Sequence, residues 1–203
     1  MIKEAYEKLV KEITPLMIAY PWSDIQAYGA WLSQQYHIVK HSTPMLALSC
    51  GRSISNRPYH LRCIEHLSEE KGHDKMLLND LRLSKLELMA ELPSTRAFYA
   101  TQYFQIEHVN PVSFLGYVLF MEALAVAFGR HVSDRASLST NGITFLELHA
   151  DEDDGHIESA FKLITTMTKS DQMDVVMNLR MSAKCYETMM QDLAALRTSS
   201  LAA

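Results

Sequence analysis

From Val112 to Gly129 every residue is apolar, small or aromatic, with one exception: Glu122. A helix that is apolar on all sides is buried on all sides. The stretch therefore needs a shell of other helices around it, and it places a carboxylate at the middle of the core. A buried ionised carboxylate without compensation is too costly to keep, so Glu122 must be protonated, paired with a base or bound to a metal.

The rest of the chain supplies that shell. Residues Ile2–Ile13 alternate charged and apolar side chains at helical spacing, and Pro15 is expected to end that segment. Ser23 is read as the N-cap of a second helix towards Leu48, with Pro44 kinking it near His41. A third helix is expected from Pro58 to about Leu83, and a fourth from Ser94, read as a cap, through His108. Asn110-Pro111 breaks the chain before the apolar fifth helix. Thr144 is read as the cap of a sixth helix to about Thr168, and Ser170 opens a seventh that frays after Arg197. Strand alternation is absent, Gly and Pro are few, and there are twelve Met. The reading is one all-α domain over residues 1–203.

Charge and cysteines narrow the function. The formal charge of −5, without a Lys/Arg cluster, argues against a nucleic-acid partner. Three widely spaced Cys, none at metal-ligand spacing, point to reduced thiols and a cytoplasmic protein. The N-terminus is polar and carries no signal-peptide pattern. Glu122 interrupts the longest uncharged apolar run before it can span a bilayer, so no membrane partner is expected.

Two further stretches are built to face Glu122. In Phe145–His156, the residues His149, Asp153 and His156 are spaced four and three apart, within roughly 60° of one another on a helix. Two imidazoles and a carboxylate on one face suit a borderline metal such as iron, manganese or zinc. The second stretch is His66-Leu-Ser-Glu69-Glu70-Lys-Gly-His73. There Glu70, Glu69 and His66 lie three, four and seven residues before His73. Each motif alone also reads as a solvated charged helix face. Together with Glu122 they offer three histidines and three carboxylates from three helices, as dimetal carboxylate sites in helical bundles do. Glu122 is the candidate bridge. Fe(II) suits this N/O set, with Mn(II) as competitor, and a six-ligand cluster is generous for one tetrahedral zinc. Because its charge is compensated only by metal on this reading, Glu122→Ala should cost the metal-free protein little.

These residues resemble the haem-oxygenase-like dimetal oxidases and oxygenases, often labelled iron-containing redox proteins. The resemblance covers about Gln34 to Met167. Its carriers are Gln35-Tyr-His-Ile-Val-Lys-His-Ser-Thr-Pro-Met-Leu, Glu69-Glu-Lys-Gly-His-Asp followed by Leu77-Leu-Asn-Asp-Leu, Asn110-Pro-Val-Ser-Phe-Leu-Gly-Tyr leading to Glu122, and His149-x3-Asp153-x2-His156. It implies a seven-helix bundle like haem oxygenase and the thiaminase-II (TenA) and PQQ-synthesis proteins, binding two non-haem Fe(II) ions and no haem. It implies ligand roles for Glu70, His73, Glu122, His149, Asp153 and His156, with Glu70 and Glu122 as the catalytic carboxylates. Some branches carry a carboxylate seven residues before the histidine matching His73. Here that position is His66, so Glu69 and His66 stay open beside Glu70. Where some branches keep tyrosines beside the metal, this chain has Met121 and Phe145. His37 and His41, four apart with Tyr36 beside them, are read as substrate contacts or as partners of a ligand. The expected activity is O2-dependent oxidation of a small organic substrate in the bundle cavity, by a protein that is a candidate homodimer. The rivals are a metal-independent enzyme of the TenA or PQQ-synthesis type and a non-catalytic binding protein on the same fold.

Overall fold

The structure, a computed structural model, describes residues 2–150 and 155–201, with side chains for 2–149 and 155–196. Among the described residues ten α-helices follow one another: α1 (Ile2–Ala19), α2 (Ile25–Val39), α3 (Ser42–Arg52), α4 (Arg57–Glu69), α5 (His73–Leu83), α6 (Pro93–Phe104), α7 (Leu115–Ala136), α8 (Thr144–Ala150), α9 (Gly155–Thr166) and α10 (Lys169–Leu201), with a π-helix (Gln105–Val109) and a 3-10 turn (Pro111–Phe114) between α6 and α7. No strand occurs among the described residues. The expected all-α bundle is what forms.

Helix α7 is the axis. It packs on α10, α8, α1 and α9, and its Leu119, Phe120 and Ala123 are at most 1 % exposed. Each large apolar side chain buried this way stabilises the fold by roughly 1.5–3 kcal/mol. From Pro111 to Ala136 the chain is long and apolar enough to cross a membrane by composition, but most of it is buried inside the bundle, as a core helix is. Its entry is pinned to α10. The Asn110 side-chain amide donates to Asp171 (2.9 Å) and Asp174 (2.8 Å), while its oxygen accepts from the Val112 N–H.

Several boundaries differ from the sequence reading, each for a physical reason. Helix α1 runs through Pro15 to Ala19. Its buried stripe Ile2, Ala5, Leu9, Ile13 continues to Met17, whose carbonyl also accepts from the Trp22 indole, and this packing offsets the lost backbone bond. The cap of α2 is Asp24 rather than Ser23: its carboxylate accepts from the N–H groups of Gln26 and Ala27. The expected kink near His41 is a full break between α2 and α3, with Pro44 in the first turn of α3, where its missing N–H costs nothing. Ser94 is buried and does not cap α6, which opens on Pro93.

Two differences bear on the site. The expected Pro58–Leu83 helix breaks at residues 70–72, where Gly72 takes φ +99°, a left-handed conformation that L side chains rarely adopt. Thr144 is the first residue of α8 and not its cap. The cap comes from a different helix: the fully buried Asp80 of α5 accepts from the Thr144 N–H (3.1 Å), the Thr144 hydroxyl (2.6 Å) and the Phe145 N–H (2.9 Å). Residues 151–154, Asp153 among them, lie outside the described residues.

Candidate metal centre

The break at residues 70–72 creates the first half of the site. Glu70 is the C-cap of α4 and His73 is the first residue of α5. Their spacing of three is therefore not a helical i,i+3 pair; a tight turn folds the two together. His73 Nδ1 lies 3.4 Å from Glu70 Oε2, and His66 Nε2 lies 3.4 Å from Glu70 Oε1. Burial alone would raise the Glu70 carboxyl, but hydrogen bonds from His66 and His73, and their charge, outweigh it and hold the carboxyl well below the usual carboxylate range. Burial alone would lower the His66 imidazole, but its contacts with Glu70 and the nearby Glu122 raise it. His66 lies between the two carboxylates, 3.4 Å from Glu70 and 3.7 Å from Glu122.

His149 comes in from α8. Its ring lies 4.7 Å from that of His73, and Phe145 packs against both. The His149 Nδ1–H donates to the Phe145 carbonyl (2.8 Å), which leaves Nε2 with its lone pair pointing elsewhere. Metal-binding histidines are commonly fixed by such a second hydrogen bond. One ligand atom each from Glu70, His73 and His149 lies within 4.8 Å of the others. Two imidazoles and an ionised carboxylate at that separation fit a single divalent N/O-loving cation, and α5 and α8 are held in register by the Asp80 cap.

Glu122 on α7 and His156 on α9 line the same cavity. The Glu122 side chain is 10 % exposed, so its expected burial is nearly complete. Its Oε1 lies 3.4 Å from Arg62 Nη2 and 3.7 Å from His66 Nδ1. Arg62 Nη2 also lies 3.4 Å from the His156 carbonyl, and Nη1 lies 3.3 Å from the Ser159 hydroxyl. His66, Glu69, Glu70, Glu122, His149 and His156 all line one cavity of about 100 Å³, room for several water molecules or the reacting end of a small molecule. Of the three open choices before His73, Glu70 turns to His73, while Glu69 sits at the exposed margin and His66 bridges Glu70 and Glu122.

Beyond the ligand-type residues the cavity is apolar, walled by Val39, Leu46, Phe114, Val118 and Phe128. Tyr117 joins them. Burial, with the negative charge of Glu70, pushes its hydroxyl far up. On α2 the face turned to the cavity is Trp31, Gln35 and Val39, one turn apart each. Tyr36 and His37 lie off that face and His41 lies beyond α2; none of the three lines the cavity, against the expectation of substrate contact. His37 Nε2–H donates to the Met89 carbonyl (2.8 Å), and His41 bonds the Tyr103 hydroxyl (3.0 Å) while stacking on Tyr99. Tyr36 packs against His37 under Lys40.

Sequence reasoning missed Arg62 and Asp80. A signal existed for each. Arg62 lies four residues before His66, on the same face of α4, and Asp80 lies seven after His73, on the same face of α5. Neither residue is a metal-ligand type at a recognised spacing to its partner, and their roles depend on contacts across helices.

Solved structures share this fold. A domain of unknown function with a haem-oxygenase-like fold from Shewanella denitrificans superposes with a TM-score of 0.85 at 20% identity, covering 98% of this chain and 94% of that one. A TenA homolog from Pseudomonas syringae pv. tomato gives 0.76 at 11% identity, covering 93% and 92%. A CADD-like protein of unknown function from Nostoc punctiforme gives 0.68 at 12% identity, covering 96% of each. At these identities the likeness shows the fold alone. A search of curated proteins by sequence returns no match. The sequence model of one family does match, over residues 29–187, a span that holds every ligand-type residue of the cavity. The chain belongs to the family of iron-containing redox enzymes.

Proposed function

We propose that this protein is a non-haem diiron enzyme that uses O2 to oxidise a small organic substrate held in the bundle cavity. The observation that carries the reading is the convergence of Glu70, His73 and His149 beside a cavity that Glu70, His149, Glu122 and His156 line together. Iron bound there would supply the electrons and open coordination positions that O2 reduction needs. The protein's own part is positional. Glu70 is kept ionised by two imidazoles, so the carboxylate is ready to bind a cation without first losing a proton. The Phe145 carbonyl fixes the His149 tautomer. The apolar walls at Val118 and Phe114 exclude water from the substrate's body and leave its reactive end facing the ligand cluster. Glu122 is the proposed bridge between two ions, and Asp153 the proposed sixth ligand. Mn(II) is the competitor for the site.

The metal-independent rival needs a nucleophile or an acid/base set in the cavity, and the carboxylates and imidazoles that line it could serve as the latter. Among the described residues no cysteine lines it. Cys63 borders a smaller neighbouring cavity, and burial pushes its thiol up to about 11, so little thiolate forms at neutral pH. A small-molecule substrate and O2 are the proposed partners, in a cytoplasmic protein that is a candidate homodimer and binds neither nucleic acid nor membrane.

The test is reconstitution. Protein purified without oxygen is loaded with Fe(II), its bound metal is counted, and its optical spectrum and O2 uptake are followed on exposure to air. Two equivalents of iron, a new absorption band and stoichiometric O2 consumption are expected. Tight Fe(II) binding with no O2 uptake and no spectral change would leave a binding protein; failure to bind Fe(II) or Mn(II) at all would end the reading.

A further inference from the structure

Arg62 stands where the dimetal reading leaves no room for it. The three ligand atoms that converge belong to Glu70, His73 and His149; the Glu122 carboxylate instead faces the Arg62 guanidinium and His66. Arg62 reaches across from α4 to two other helices. Its Nη2 contacts Glu122 on α7 and the His156 carbonyl on α9, both at 3.4 Å, and its Nη1 contacts Ser159 at 3.3 Å. The guanidinium thus lies between Glu122 and the backbone of His156, the two described residues assigned to the second ion. The pair is largely buried, with side chains 15 % and 10 % exposed. A carboxylate this deep needs a compensating cation, and a guanidinium supplies one that no accessible pH removes.

We propose that Arg62 is the resident cation of the metal-free site, which neutralises Glu122 until a second divalent ion displaces it. The inference rests on the dimetal reading above and adds an order to it. The first ion enters at Glu70, His73 and His149, whose ligand atoms already converge within 4.8 Å. The second must move a positive charge off Glu122 and out of contact with the His156 backbone, because a guanidinium and a dication cannot share one carboxylate oxygen at contact distance without strong repulsion. Arg62 is a positioning residue in this scheme, and occupancy is sequential.

The experiment is Mn(II) binding to the full chain, followed by titration calorimetry and by electron paramagnetic resonance, which separates an isolated Mn(II) from a coupled pair. Wild type, Arg62→Gln and Arg62→Lys are compared. In wild type one Mn(II) binds tightly and a second more weakly. In Arg62→Gln the second affinity rises by roughly tenfold or more while the first stays within about twofold, and Arg62→Lys falls between them, since lysine keeps the charge but not the fork. An unchanged or weakened second affinity in Arg62→Gln overturns the proposal, as does an equal gain at both ions, which would be a diffuse charge effect. Uptake of one ion only by all three proteins is a different result: it removes the dimetal reading itself, and this proposal with it. If Arg62→Gln fails to fold, the wild-type protein crystallised with Mn(II) decides. Arg62 released from Glu122 with two ions bound supports the proposal, and Arg62 still in contact with Glu122 beside two ions overturns it.

Discussion

The two walls of the cavity are held by different means. On the wall of Glu70, His73 and His149 the side chains are fixed through the backbone: a glycine turn, a cap donated by Asp80 from one helix to another, and a carbonyl that orients one imidazole. On the wall of Glu122 and His156 the carboxylate meets two flexible side chains, Arg62 and His66, at 3.4 and 3.7 Å. Backbone-anchored groups keep their geometry whether or not an ion is present. Charge-paired groups keep theirs only while the partner charge stays. The first wall is therefore built to receive an ion as it stands, and the second is built to be rearranged.

The comparison breaks most visibly at Asp80. Asp80→Ala removes three hydrogen bonds to the start of α8 from a fully buried position and leaves two backbone N–H groups unpaired. A loss of about 3–5 kcal/mol of stability is expected from urea unfolding, with metal affinity at the first position falling roughly 10- to 100-fold. A loss under about 1 kcal/mol would mean that α8 is held in place by other contacts. Next comes His149→Ala, which removes a proposed ligand of the first ion. Metal at a hundred times its dissociation constant stabilises a folded protein by about 2.7 kcal/mol, and melting curves with and without Mn(II) should show that gain lost in the variant. Retention of the gain would move the first ion away from this wall.

Glu122→Ala tests the other wall. Its charge is already compensated by Arg62 and His66, so the sequence-based expectation of little cost is revised. The metal-free variant should lose about 2 kcal/mol, because it strands a largely buried guanidinium, while one Mn(II) still binds. Loss of both ions would mean that the first ion cannot bind without Glu122. Gly72→Ala is smaller. Space is open around Gly72, so the cost is the left-handed backbone alone, about 1–2 kcal/mol, with a matching weakening of metal binding through His73. The smallest effect is expected for His41→Ala: it leaves the cavity untouched and should change metal affinity by less than about twofold. A larger change would return His41 to the site.

Much of this was legible in the residues. Local pattern is enough to say that Val112–Gly129 is a core helix and that Glu122 lies within it; His73 and His149 read as inward only in combination with that carboxylate. The helix ends were less legible. Pro15 reads as a stop because its effect on the backbone is local, whereas the burial of Met17 that overrides it is not. Thr144 reads as a cap for the same reason: the actual acceptor, Asp80, lies 64 residues away in the chain.

The chain by itself determined the kind of fold and the chemistry on offer. An apolar helix with one carboxylate demands a surrounding bundle, and imidazoles and carboxylates at helical spacing supply hard and borderline ligands. Tertiary structure decided which of them meet. Glu70 rather than Glu69 turns to His73 because the chain reverses at Gly72, an effect of one backbone angle that helical spacing cannot express. Gln35 rather than His37 faces the cavity because neighbouring helices fix how α2 is rotated about its axis. Arg62 reaches Glu122 because α4 and α7 lie side by side; a pairing across 60 residues depends on packing distances that one strand of sequence does not contain.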